Sequence, residues 1–128
     1  MNLKEAVKTC LCDKYLDFST RATRQELGYY ILAYFLFSLV FFVITFVVET
    51  FADDPFQLFR LTVGISVVIA LILALPTWAV CVRRLHDTGR SGWWMLFYFL
   101  PYIGTIVLLV MFCQKSDDDN RYGPKPTE

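Results

Sequence analysis

Apolar residues in this chain are gathered into three long runs. Residues 29–48, 61–82 and 93–113 hold 20, 22 and 21 residues with no Asp, Glu, Lys, Arg or His among them. A helix rises about 1.5 Å per residue, so about 20 apolar residues cross a hydrocarbon core roughly 30 Å thick. Backbone inside that core must be satisfied internally, and no ten-residue alternation marks a barrel, so the pattern predicts helices. The first run carries Ser38 and Thr45. The second carries Gly64, Ser66 and Pro76, and the third has Pro101 and Gly104 near its middle.

Residues 1–28 read as an interfacial N-terminal segment. Leu3, Val7, Leu11 and Tyr15 fall four apart, with Ala6 and Cys10 beside them and Lys4 and Lys8 on another side. That spacing predicts a short amphipathic helix in the headgroup region. The first apolar run is too long for a signal h-region and no small-residue cleavage site follows it, so it is expected to stay as an anchor. Residues 114–128 form a polar tail. The chain as a whole reads as a single integral membrane domain, all-α, with three hydrophobic helical segments.

Basic residues near the ends of the runs set orientation. With three full crossings, the N-terminal segment and the loop after the second run share a side that carries eight Lys and Arg residues, against four on the other. This places the N-terminus in the cytoplasm and the tail outside. Pro101 and Gly104 qualify the third crossing, because neither 93–100 nor 103–112 is long enough to span alone. One crossing kinked at the proline is the expectation, since membrane helices accommodate such kinks; a broken, re-entrant hairpin is the alternative.

Composition narrows the class. The chain is 56% hydrophobic and 19% charged, with 12 Phe in 128 residues. A soluble domain of this size could not hide so many aromatic rings, and a disordered chain or disulfide miniprotein is excluded. Net charge is zero, and no basic face suggests nucleic acid.

Polar residues concentrate in three clusters. In the first, Arg21, Arg24 and Glu26 precede the first run, and Thr23 and Glu26 have the spacing of a capping box. The second runs from Arg83-Arg84-Leu85-His86-Asp87 through Gly89-Arg90-Ser91-Gly92 to Trp93 and Trp94. Arg83 and Asp87 stand one helical turn apart. Gly89 and Gly92 favour a tight turn with backbone N–H groups available, and the two indoles suit the membrane interface. Arg83, Arg84 and Arg90, with Ser91 and His86, make a candidate receptor for an anionic headgroup. The third cluster is Asn120-Arg121-Tyr122-Gly123. Clusters one and two lie at the same depth on one side of the membrane. Glu26 is therefore expected to pair with Arg83 or Arg84, and Asp87 to face Arg21 or Arg24.

These residues resemble the family known as domain of unknown function 805, small bacterial inner-membrane proteins. Its pattern has aromatic-x-Gly-Arg-x-x-Arg-x-Glu before the first span. Pro and then Arg-Arg-Leu-His-Asp-x-Gly-x-Ser-Gly-Trp-Trp follow, with Asn-Arg-Tyr-Gly-x-x-Pro in the tail. Pro76 and residues 83–94 match closely; Asn120, Arg121, Tyr122, Gly123 and Pro126 match, as do Arg21, Arg24 and Glu26. Thr20 stands where Gly is usual, and Leu27-Gly28 where an aromatic pair is usual. The resemblance implies fold and location and carries no activity.

Other chemistry finds little support. Cys10, Cys12, Cys81 and Cys113 are scattered and there is one histidine, so no metal or cofactor is expected. Ser91 lacks a nucleophile elbow, and adjacent His86 and Asp87 point different ways on a helix, so no catalytic residue is assigned. The runs lack ionisable groups at depth, which argues against a proton-coupled pump. The expected role is structural or accessory, binding membrane lipid or a membrane partner. A lipid-headgroup enzyme and a small oligomeric transporter are the rival classes. Phe35, Phe42 and Phe46, with small Gly64, Ala70 and Ala74, lead us to expect a homo-oligomer.

Overall fold

The computed structural model describes residues 2–126; Met1, Thr127 and Glu128, which the N-terminal and tail expectations included, lie outside it. Four α-helices are present among the described residues: α1 (Leu3–Lys8), α2 (Arg24–Thr50), α3 (Pro55–Asp87) and α4 (Ile103–Cys113). A π-helical turn, Thr9–Asp13, extends α1, and a 3-10 helix, Gly92–Phe99, leads to α4.

Helix α2 begins where the capping box places it. Thr23 is the N-cap, and its hydroxyl accepts from the Glu26 backbone N–H at 3.0 Å. Helix α3 starts with Pro55 behind Asp54, whose Oδ1 accepts from Gln57 N at 3.2 Å. The two helices hold 27 and 33 residues, long enough to cross a bilayer, and contain the runs 29–48 and 61–82. Beyond Tyr30, α2 buries nothing; before Pro76, α3 buries nothing. The protein core therefore lies at one end. One apolar cluster there joins Cys10, Ala22, Leu27, Tyr30 and Val80, and a second joins Val82, Leu85, Met95, Leu108 and Met111. At the other end α2 and α3 show apolar side chains outward, as a lipid-facing surface requires.

The third run is broken rather than kinked at the proline, the alternative that the sequence left open. The 3-10 helix ends at Phe99, Tyr102 adopts φ +64°, and α4 starts afresh at Ile103. A Cβ at Gly104 would lie 1.6 Å from the Phe97 carbonyl oxygen, so only glycine lets the two arms approach this closely. The chain turns back, and the carbonyls of Phe112 and Gln114 return to Arg84. Hence the tail sits at the same end of the molecule as the start of α2, not opposite it.

The N-terminal segment is held against the helices. Ala6 and Cys10 are fully buried, and Val7 and Leu11 border a groove of about 300 Å³ with Tyr30, Phe37 and Ile72.

Candidate functional site

The polar clusters meet in one joint at the packed end. Glu26, one turn into α2, pairs with Arg83, near the end of α3. Arg21 Nε meets Asp87 Oδ1 at 3.0 Å. Both crossed pairings expected from the sequence are thus formed. Arg84, three residues before Asp87, supplies a second, local partner to that carboxylate. All five charged groups are almost completely covered, and Arg83, Arg84 and Asp87 have no exposure. Burying charge is costly unless it is paired and hydrogen-bonded, and the donors here are spent accordingly. Arg21 NH1 donates to the carbonyls of Asp118 at 3.0 Å and Gly123 at 3.1 Å, and NH2 to those of Asp87 and Asp117. Arg84 donates to the carbonyls of Ala22, Phe112 and Gln114 as well as to Asp87. Each guanidinium ties three chain segments together.

Cys10 completes the Glu26–Arg83 pair. Its thiol donates to Glu26 Oε1 at 3.6 Å and accepts from Arg83 NH2 at 3.8 Å. Burial, with the Glu26 carboxylate adding to it, pushes the thiol up to about 12. Arg83 Nε is buried without a partner among the described residues. Nearby, Asp17 accepts from the backbone and hydroxyls of Ser19 and Thr20. Burial alone would raise its carboxyl, but these hydrogen bonds outweigh it and hold the group down at about 2.

The tail is anchored through the third cluster. Asn120 Nδ2 donates to the His86 carbonyl at 3.1 Å, and Asn120 and Gly123 exchange backbone hydrogen bonds in a tight turn with Gly123 at φ +131°. Tyr122 stacks on His86 with ring centroids 3.8 Å apart, and the Arg121 guanidinium lies 4.8 Å from the Tyr122 ring centroid. His86 Nδ1 lies 3.1 Å from the Thr20 carbonyl, so that nitrogen carries the proton. Ser116 and the Asp117 N–H close on Asp87.

The residues expected to receive a headgroup are divided. Arg83 and Arg84 face inward and are used in the joint. Arg90 is partly exposed, and Trp93 and Trp94 lie at the surface. Two of the loop N–H groups read as available are in use: Gly89 N donates to His86 O and Arg90 N to Leu85 O, closing a Schellman motif with Gly89 at φ +79°. Ser91 Oγ caps the 3-10 helix by accepting from Trp93 N at 3.2 Å. Arg24 is exposed at the start of α2, with NH1 3.5 Å from the Cys113 carbonyl. Gly92 packs where a Cβ would lie 3.0 Å from Val82 Cγ1. Sequence reasoning missed Cys10, Ser116 and the tail carbonyls as members of the joint. Backbone acceptors leave no residue signature.

The fold and the joint define a small α-helical membrane protein whose charged motif residues serve internal architecture. The chain belongs to the family described as protein of unknown function (DUF805), whose model matches residues 15–124. It is 36% identical over 113 residues to inner membrane protein YhaI of Escherichia coli (strain K12), covering 88% of this chain and 87% of that protein. It is 43% identical over 63 residues to inner membrane protein YhaH of the same strain, covering 48% of this chain and 52% of that protein. The chain thus spans about half the length of YhaH and most of YhaI. No solved structure matches it.

Proposed function

We propose that this protein is a structural or accessory module of the inner membrane. In this reading α2 and α3 cross the bilayer, residues 92–113 enter and return as a re-entrant hairpin, and both termini are cytoplasmic. The buried joint then lies at the cytoplasmic headgroup level. The observation that carries the reading is the placement of positive charge. Of twelve Lys and Arg residues, Arg60 alone stands beside the α2–α3 turn; the others lie at or before the start of α2, or from Arg83 onward. A returning third segment makes that asymmetry far steeper than three crossings would, as the positive-inside tendency favours. The loop Arg90 and the exposed lysines around the joint then meet anionic lipid.

Two measurements test this. A fluorescent protein that folds only in the cytoplasm, fused after the tail, is expected to fluoresce, and one inserted at Asp53 to stay dark. The reverse pattern removes the topology. For lipid, native mass spectrometry of the detergent-extracted protein is expected to show less retained phosphatidylglycerol in Arg90→Gln/Lys115→Gln than in wild type. Each basic residue near an anionic surface is worth about 1 kcal/mol. Equal retention would remove the lipid contact and leave the architectural reading intact.

A further inference from the structure

The end of the molecule remote from the joint holds a second arrangement of polar groups. Between α2 and α3 lies a cleft of about 260 Å³. Four phenyl rings, Phe41, Phe42, Phe46 and Phe59, border it, and Glu49 reaches it from the last turn of α2. Glu49 Oε1 is covered and accepts no hydrogen bond among the described residues. Arg60, the one cation at this end, makes no ion pair with it among the described residues.

The hydroxyls beside Glu49 cannot satisfy it. Thr45 donates to the Phe42 carbonyl at 3.0 Å, Thr62 to Leu58 at 3.0 Å and Ser66 to Thr62 at 2.8 Å. Each spends its proton on its own helix and turns only lone pairs outward. The cleft therefore offers acceptors and ring faces and no donor. Its electrostatics agree. Glu49, Asp53 and Asp54 outnumber Arg60 at this end. Glu49 also lies at a helix C-terminus, where the backbone dipole disfavours an acid and favours a cation. Asp54 is committed to capping α3 and Asp53 is exposed to solvent, which leaves Glu49 as the carboxylate with a covered oxygen and no hydrogen-bond partner among the described residues.

We infer that this cleft binds an organic ammonium ion, with the Glu49 carboxylate accepting its N–H donors and the Phe rings packing on its alkyl and cationic surface. A carboxylate gives charge and hydrogen bonding, and phenyl faces attract a cation within about 6 Å of the ring centre. A neutral alcohol of the same shape lacks both attractions. This inference is independent of the role assigned to the joint.

The test uses the full chain in dodecyl maltoside, which carries no amine, with n-butylammonium as probe and n-butanol as its neutral counterpart. Saturation-transfer NMR is expected to show saturable binding of n-butylammonium at least about tenfold tighter than n-butanol. Glu49→Gln is expected to erase that preference, and Phe59→Leu to weaken the ammonium about two- to fivefold. Glu5→Gln, at the other end, leaves both unchanged. Equal binding of amine and alcohol to wild type overturns the inference without reference to any variant. So does an undiminished preference in folded Glu49→Gln, or the absence of saturable binding.

Discussion

The Tyr15 hydroxyl donates to the Ile72 carbonyl, the one acceptor in α3 that Pro76 deprives of its helical donor. Proline has no N–H, so the carbonyl four residues back is orphaned wherever proline enters a helix. Here a residue from the N-terminal segment, 57 positions away, supplies the proton. One residue on, Thr77 Oγ1 donates to Leu73 O at 2.7 Å and lies 2.7 Å from the Tyr30 hydroxyl. Two tyrosines thus secure the stretch around the proline.

This relationship predicts a coupling. Tyr15→Phe is expected to cost about 1–3 kcal/mol of unfolding free energy in detergent, the range for an acceptor left unsatisfied. In a Pro76→Ala background residue 76 regains its N–H, and the same substitution is expected to cost less than about 0.5 kcal/mol. Equal costs in the two backgrounds would show that the hydroxyl acts elsewhere.

The Glu26–Arg83 pair predicts a different signature. Removing one partner of a buried pair strands the other, at about 3–5 kcal/mol, whereas an apolar pair of similar volume is often neutral. Glu26→Ala and Arg83→Ala are each expected to lower the yield of folded protein sharply. Glu26→Leu/Arg83→Met is expected to recover most of it. If the double variant is as poor as the two single changes combined, the pair is not a closed unit.

How much of this was legible in the sequence depends on the range of the interaction. The long helices are marked by local hydropathy, and the start of α2 by Thr23 and Glu26, because a cap needs only residues three apart. The crossed ion pairs were legible too, since opposite charges at one membrane depth have few alternatives. The inward turn of Arg84 was not, because its acceptors are the carbonyls of Ala22, Phe112 and Gln114, which any residue would offer. The return of the third segment was hidden for a related reason. Pro101 and Gly104 mark a break, but whether the chain kinks or reverses is decided by the approach of Gly104 to Phe97.

Thiol reactivity separates the cysteines. Cys12 and Cys113 are exposed, while Cys10 is covered and its thiol is pushed up to about 12. The thiolate is the nucleophile, so maleimide at pH 7.5 is expected to modify Cys12 and Cys113 in the folded protein and to leave Cys10 unmodified until denaturant is added. The protection of Cys10 is expected to fall in Glu26→Ala, which removes its acceptor. Rapid labelling of Cys10 in the folded wild type would mean that the N-terminal segment is not docked.

Asp17 gives the N-terminal segment an acid limit. Its carboxyl is held at about 2 against an ordinary 3.8. A carboxyl depressed by folding contributes stability that is present above its unfolded value and lost as pH falls through its folded one. The hydrogen bonds to Ser19 and Thr20 are therefore intact from neutral pH to about 4 and are lost between 3.8 and about 2. Hydrogen exchange at Ser19 and Thr20 is expected to speed up across that window relative to Asp17→Asn, whose amide does not titrate. Identical pH dependence in both proteins would place the acid sensitivity in another group.

The hairpin offers the sharpest structural test, because two glycines in the apolar runs face opposite surroundings. A Cβ at Gly64 would meet nothing within 4 Å, whereas one at Gly104 would strike the Phe97 carbonyl and approach Leu100 Cβ at 3.0 Å. Gly64→Ala is expected to be silent or slightly stabilising, since alanine favours a helix interior by about 1 kcal/mol over glycine. Gly104→Ala has the same propensity gain but must push the arms of the hairpin apart, beyond the about 1–3 kcal/mol of ordinary overpacking. Spreading the arms draws the Phe112 and Gln114 carbonyls from Arg84 and unseats the tail that Arg21 holds through Asp117, Asp118 and Gly123. The variant is therefore expected to expose residues 115–125 to limited proteolysis while α2 and α3 keep their helicity. If Gly104→Ala leaves the tail as protected as in wild type, the return of α4 does not depend on this close approach, and the joint is closed by the tail's own contacts.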